Sequence, residues 1–195
     1  MDNKRDITKI TASMVIMMLL MMATRGHVNW LSSASHLPDF TLPALFITGV
    51  YFKNWLAPIP LILLAVFIDW YVISYNGVSD FCISEAYMML LPAFYMMFIG
   101  GRLINSLWVN SFKQLLSITL ILLMATGVEW FISSASFYWT APYLPEPTWV
   151  EFLSRVEKYA PEAIRHVFMW MVVVCASFTL NHRFVLVPHL NKDNA

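Results

Sequence analysis

The chain has 195 residues, of which 59% are hydrophobic and only 12% charged. A soluble domain carries about 25% charged residues, so this chain cannot cover a water-facing surface, and its apolar content equally excludes intrinsic disorder. Zero formal net charge leaves no basic face for nucleic acid, and two cysteines exclude a disulfide framework and a four-cysteine zinc site. A polytopic membrane protein remains, read here as one all-α membrane domain over residues 1–195.

Six segments approach the roughly 17–25 apolar residues that cross a bilayer. They are 7–23, 40–56, 59–75, 86–104, 115–132 and 164–180. The first follows basic residues, as a signal peptide would. No small-x-small cleavage site follows Met21 and Met22, so it reads as an uncleaved span. Ala57 and Pro58 form a tight turn between the second and third spans, with Pro58 and Pro60 suited to the first turn of the next helix. Pro92 is expected to kink the fourth span, with neighbouring helices satisfying the freed carbonyl.

Between the fifth and sixth spans, a Pro-rich stretch over 141–147 leads into a segment with helical periodicity. Thr148 and Glu151 have capping-box spacing. Trp149, Phe152, Leu153, Val156 and Tyr159 then form an apolar stripe opposite Glu151, Ser154, Arg155 and Lys158. Residues 149–159 therefore read as a short amphipathic helix at the membrane interface.

Six spans put both termini on one side. Lys4, Arg5, Lys9, Lys53, Arg102, Lys113, Arg183 and Lys192 fall on that side; Arg25, Arg155, Lys158 and Arg165 fall on the other. The basic excess places both termini in the cytoplasm. The outer surface then consists of 24–39, 76–85 and 133–163.

Ionisable groups inside a membrane cost ~2.5–3.5 kcal/mol each on insertion scales, so each asks for a reason. Asp69 lies in the third span, on the order of 10 Å below its outer end. It is either a structural carboxylate paired with an outer-side arginine or a ligand-accepting group in an outward cavity. Glu129 lies near the outer end of the fifth span, where it could reach water. Outward aromatics, among them Trp70, Tyr71, Tyr75, Trp130, Phe131 and Tyr138, fit an interfacial belt, and some could wall a pocket for a flat ligand. The methionine pairs fit packing, because none has metal-ligand spacing with His or Cys.

Cys175 reads as a buried apolar residue of the sixth span. Cys82 is different: an outer-loop thiol that topology leaves unpaired in an oxidising compartment. It precedes Ser84, the expected N-cap of the fourth span, whose helix dipole favours a thiolate while Asp80 and Glu85 oppose one. A lone thiolate does not hold a free metal, but it can fill one axial position of a metal already held in a macrocycle.

Several of these residues form a pattern. Leu37, Pro38, Asp39 and Phe40, then Gly49, Val50 and Tyr51, then Ile68, Asp69 and Trp70, then Gly77 through Cys82, with Ala86 and Tyr87, closely resemble the BtuM family. These are small bacterial inner-membrane proteins, related to the substrate-binding S-components of energy-coupling factor (ECF) transporters, that take up vitamin B12. The resemblance covers about 27–155, and the G-V-S-D-x-C segment is its most specific part. It implies an S-component-like six-helix bundle that binds and transports cobalamin. It implies that Cys82 ligates the cobalt from the outward side and assists removal of the upper cyanide. Asp69, Tyr87 and Arg155 are implied around the corrin, together with a histidine near the end of the first span, His27 or alternatively His36. Asp69 and Tyr87 would meet the corrin amides; Arg155 would meet the nucleotide phosphate or pair with Asp69.

S-components that dock on a shared ECF coupling module often carry AxxxA in the first helix. Residues 7–23 have no Ala pair at that spacing, which leans toward a solitary transporter. Two other readings remain open at this point: an S-component for another vitamin, and a haem-binding redox protein using histidines such as His27 and His166.

Overall fold

The computed structural model describes residues 2–25, 37–52, 54–76, 85–104, 106–107, 109, 111–140 and 147–180, with side chains over 11–177 of these. Cys82, His27 and His36 lie outside the described residues. Among those described, the fold is all-helical: α1 (Asp2–Thr24), α2 (Thr41–Tyr51), α3 (Ile59–Asn76), α4 (Leu90–Arg102), α5 (Phe112–Thr140) and α6 (Trp149–Leu180). A 3-10 turn, Glu85–Met89, precedes α4.

The core lies around α2 and α4. Every residue of α2 from Pro43 to Gly49 is buried, and so is Thr41. Two glycines make this approach close. A Cβ on Gly49 would overlap the Phe98 carbonyl, and one on Gly101 would overlap the Phe46 carbonyl. Small residues let helix backbones meet in this way. Gly100 likewise lets α4 approach the Ala125 side chain of α5. Phe46, Leu45, Leu61, Met97 and Leu122 fill the space between the helices.

The second apolar segment forms a shorter helix than its hydrophobicity predicts. Phe52 is extended, so α2 ends at Tyr51. Asn54 then organises a turn: its side-chain oxygen accepts the Leu56 N–H at 3.0 Å, and its carbonyl accepts the Ala57 N–H at 3.0 Å. The fourth segment differs as well. Pro92, expected as a mid-span kink, sits in the first turn of α4, where its missing N–H costs least. The chain reaches it through 3-10 geometry instead of α-helix.

The largest departure is α6. Residues 149–159 and 164–180, expected as separate elements, belong to one helix of 32 residues that runs through Pro161. Pro161 removes the hydrogen bond to the Glu157 carbonyl. Both residues lie on the exposed side.

α5 is long and apolar enough to cross a membrane by length and composition, and only 28% of its most apolar window is buried within the protein. Its outward side carries Leu115, Leu116, Leu120, Leu123 and Met124. Thr11–Thr24, Thr41–Tyr51 and Ile59–Tyr75 are shorter apolar helices.

Candidate functional site

A cavity of about 430 Å³ opens at the end of the bundle where α1, α3 and α5 finish and α6 begins. Its walls include Trp130, Phe137 and Tyr138 from α5, and Phe152, Arg155 and Tyr159 from α6. Arg25, Asp69 and Tyr87 complete it from three other elements. Asp69, Tyr87 and Arg155, far apart in sequence, thus line one cavity.

Asp69 has the partner that a mostly buried carboxylate needs. Arg25, the residue after α1, grips it with two donors: Nε to Oδ1 at 2.9 Å and Nη2 to Oδ2 at 2.7 Å. The remaining arm, Nη1, donates to Asp39 Oδ2 at 2.7 Å and to Thr41 Oγ1 at 3.1 Å. The Arg25 side chain is only 12% exposed and that of Asp69 20%. Burial disfavours the Arg25 charge, but Asp39 and Asp69 outweigh it and hold the guanidinium above its ordinary value. Tyr87 adds a third bond, donating its hydroxyl to Asp69 Oδ2 at 2.8 Å.

Residues 37–40 hold this network against α1, α2 and α6. Asp39 Oδ1 accepts both the Thr41 N–H and the Thr41 hydroxyl, at 2.8 and 2.6 Å. The Phe40 N–H donates to Thr24 Oγ1 at 3.0 Å, and the buried Phe40 ring meets Trp170 edge-on. Trp170 donates its indole N–H to the Pro38 carbonyl at 2.8 Å.

Arg155 does not pair with Asp69. It bonds Glu151 one turn away, at 3.0 and 3.2 Å, and lies 5.3 Å from the centre of the Tyr138 ring. Spacing explains the choice: Glu151 at i−4 is always within reach on the same helix. Thr148 accepts the Glu151 N–H at 3.3 Å, as an N-cap should. Glu151 does not return the bond; its carboxylate goes to Arg155 and accepts the Tyr138 hydroxyl at 3.2 Å. Tyr138 also accepts the Thr148 N–H at 2.9 Å, which ties the start of α6 to α5.

The first half of α6 therefore packs against the bundle through Phe152 and turns Arg155 and Tyr159 to the cavity, rather than burying the whole apolar stripe. Phe152 is buried among Phe131, Tyr138 and Trp139. Trp149 and Leu153 point outward, with Trp149 64% exposed. The outer aromatics divide in the same way. Trp70, Tyr71, Tyr75 and Phe131 are exposed, whereas Tyr87, Trp130, Phe137 and Tyr138 line the cavity.

Glu129 does not reach water. It is 5% exposed and faces the Asp39 and Arg25 charges. His166 sits 3.7 Å from Glu162 and does not line the cavity. Met17 and Met97 are core residues whose sulfurs face the Thr48 and Thr126 hydroxyls, whereas Met22, Met88 and Met89 are exposed. Among the described residues, no cluster of His, Cys, Asp and Glu could hold a metal ion.

Arg25 is the site residue that sequence reasoning did not single out. A signal existed, because Asp69 calls for an outer-side cation and Arg25 ends the first span. The pattern of aromatic walls, phenol and serine hydroxyls, and two guanidiniums each neutralised by carboxylates suits binding. A comparison with protein-family models and with curated proteins gives no match for this chain.

Proposed function

We propose that this chain is a multi-pass bacterial inner-membrane protein that binds cobalamin at its outer cavity and carries it inward. The observation that carries the reading is the convergence of Asp69, Tyr87 and Arg155 on one aromatic-walled cavity. The resemblance to the BtuM family names these three positions on motif grounds alone, and their meeting in space is independent support.

The six-span topology rests on the outward apolar surfaces. Leu63 and Phe67 of α3, Met124 of α5, and Val172 and Val173 of α6 are all exposed. Exposed apolar side chains on three helices fit a lipid-facing exterior. The outward face of α1 carries Val15, Ile16, Leu19 and Met22. Bulky side chains there disfavour close docking on a shared ECF coupling module, which fits a solitary transporter.

Cobalamin has an apolar macrocycle rimmed by amides. A 430 Å³ cavity takes one edge of it and not the whole molecule. Within that edge, the rings of Trp130 and Phe137 face the macrocycle, while Tyr87 and the serine hydroxyls of Ser133 and Ser134 meet amide groups. Arg155 is half-exposed and only singly paired, which leaves guanidinium N–H groups for a phosphate. Cys82 lies in the segment that joins α3, carrying Asp69, to the 3-10 turn carrying Tyr87. Its thiolate would donate to cobalt of the substrate. Donation on one axial side weakens the bond on the other, so cyanide there departs more readily as the ion with its electron pair.

The test is growth of a B12-dependent, uptake-deficient bacterium expressing this gene, paired with spectra of purified protein mixed with cobalamin. The native gene is expected to rescue growth, and the protein to show cobalt–sulfur absorption that Cys82→Ala abolishes. No rescue and no binding would refute the transport reading. Identical spectra in Cys82→Ala would refute the sulfur ligand alone.

A further inference from the structure

The bonds around Asp69 dictate which way each proton points. A carboxylate only accepts hydrogen bonds. Its Oδ1 takes Arg25 Nε, and its Oδ2 takes both Arg25 Nη2 and the Tyr87 hydroxyl. The Tyr87 phenol is therefore a donor toward Asp69, with its proton committed. What it offers the cavity is oxygen lone pairs.

The Arg25 fork is itself held. Two parallel N–H donors set the plane of the Asp69 carboxylate, a geometry that a lysine ammonium, as a point charge, cannot reproduce. The third arm is pinned by Asp39 and Thr41 ahead of and within α2. Four parts of the chain thus converge on one guanidinium: the end of α1, residues 39–41, α3 and, through Asp69, the 3-10 turn.

We propose that Arg25 is the positioning residue of this cavity: it orients Asp69 so that Tyr87 is presented as a hydrogen-bond acceptor, which selects a ligand edge carrying amide N–H donors over one carrying a carboxylate. A carboxylate on the ligand would meet a phenol with no proton to give and an Arg25 whose charge is already matched. The affinity part of this proposal rests on the cobalamin reading; the orientation of Tyr87 does not.

The test uses the full-length protein in detergent, with cobalamin as the probe and a cobalamin whose peripheral carboxamides are partly hydrolysed to carboxylates as the comparison. Wild type is expected to favour the intact amide form. Arg25→Lys keeps the charge but loses the fork. It is expected to bind cobalamin about tenfold or more weakly and to lose the amide preference. In a double-mutant cycle, Arg25→Lys with Tyr87→Phe should bind no more weakly than the weaker single variant, because Arg25 acts through Asp69 on Tyr87. The tyrosine C–O infrared band, assigned with Tyr87→Phe, should shift in Arg25→Lys without any ligand.

Wild-type affinity in Arg25→Lys, additive losses in the cycle, or an unmoved Tyr87 band would each overturn the proposal. Should Arg25→Lys fail to fold, Asp69→Asn must shift the same band, and an unmoved band overturns the proposal there too. If wild type binds no cobalamin at all, the transport reading fails, and the Tyr87 band alone decides the role of Arg25.

Discussion

One guanidinium serving two carboxylates sets the energetics of the site. The Arg25–Asp69 pair is mostly buried. Removing one member of such a pair leaves an uncompensated charge, which costs more than the pair itself contributes. Asp69→Asn is expected to lower stability by about 2–4 kcal/mol, with Asp39 limiting the loss by remaining beside Arg25. Tyr87→Phe removes one bond from an oxygen that Arg25 still satisfies, so its cost should be about 1.5 kcal/mol. Chemical denaturation in mixed micelles, followed by tryptophan fluorescence, ranks the two; a larger loss for Tyr87→Phe would contradict this order. Asp69 was legible in the sequence because a carboxylate inside an apolar run is costly and asks for a partner. Its partner was not, since four outer-side cations were available and only their positions in space distinguish them.

At the scale of elements, local signals and tertiary contacts divide the work. Thr148 marks the start of α6 in the sequence, and it caps that helix in the structure. Thr148→Ala should cost about 1 kcal/mol, read as a lower melting temperature; an unchanged midpoint would show that Tyr138 alone holds this corner. Gly49 and Gly101 matter for a reason no local rule states. Each lies against the backbone of the other helix, and a methyl group there has no space. Gly101→Ala should therefore separate α2 from α4 and sharply reduce the yield of folded protein. Gly127→Ala is the control: a Cβ there meets nothing within 4 Å. It should be neutral or stabilise by up to about 1 kcal/mol through helix propensity. Comparing the two by size-exclusion profile and melting point tests the packing directly. Pro161 shows the opposite limit. Its local preference argues for a break, yet aromatic packing of Phe152 against α5 keeps the first half of α6 in line with the second.

For the whole molecule, the decisive feature is an apolar exterior. Met124 is 67% exposed near the middle of α5, the helix long and apolar enough to cross a membrane. In a lipid environment that residue is at rest, and a charge there is not. Met124→Lys should oppose insertion by about 2.5–3.5 kcal/mol, seen as loss of protein from the membrane fraction. Met124→Leu should have no effect. Equal membrane recovery of the lysine variant would count against lipid contact at this position.

Composition alone pointed to a helical chain rich in apolar residues. Few charges and long apolar runs favour helices, which satisfy their own backbone groups, and every regular element among the described residues is helical. A carboxylate inside an apolar run marked Asp69 before any fold was visible, and the family resemblance named Tyr87 and Arg155. Only the tertiary structure decided that Arg25 binds both Asp39 and Asp69, that Arg155 turns to Glu151, and that α6 is one helix. Those outcomes depend on which side chains lie within about 3 Å of each other after packing, and a charge in a chain does not reveal which of several equivalent partners the fold brings within that distance.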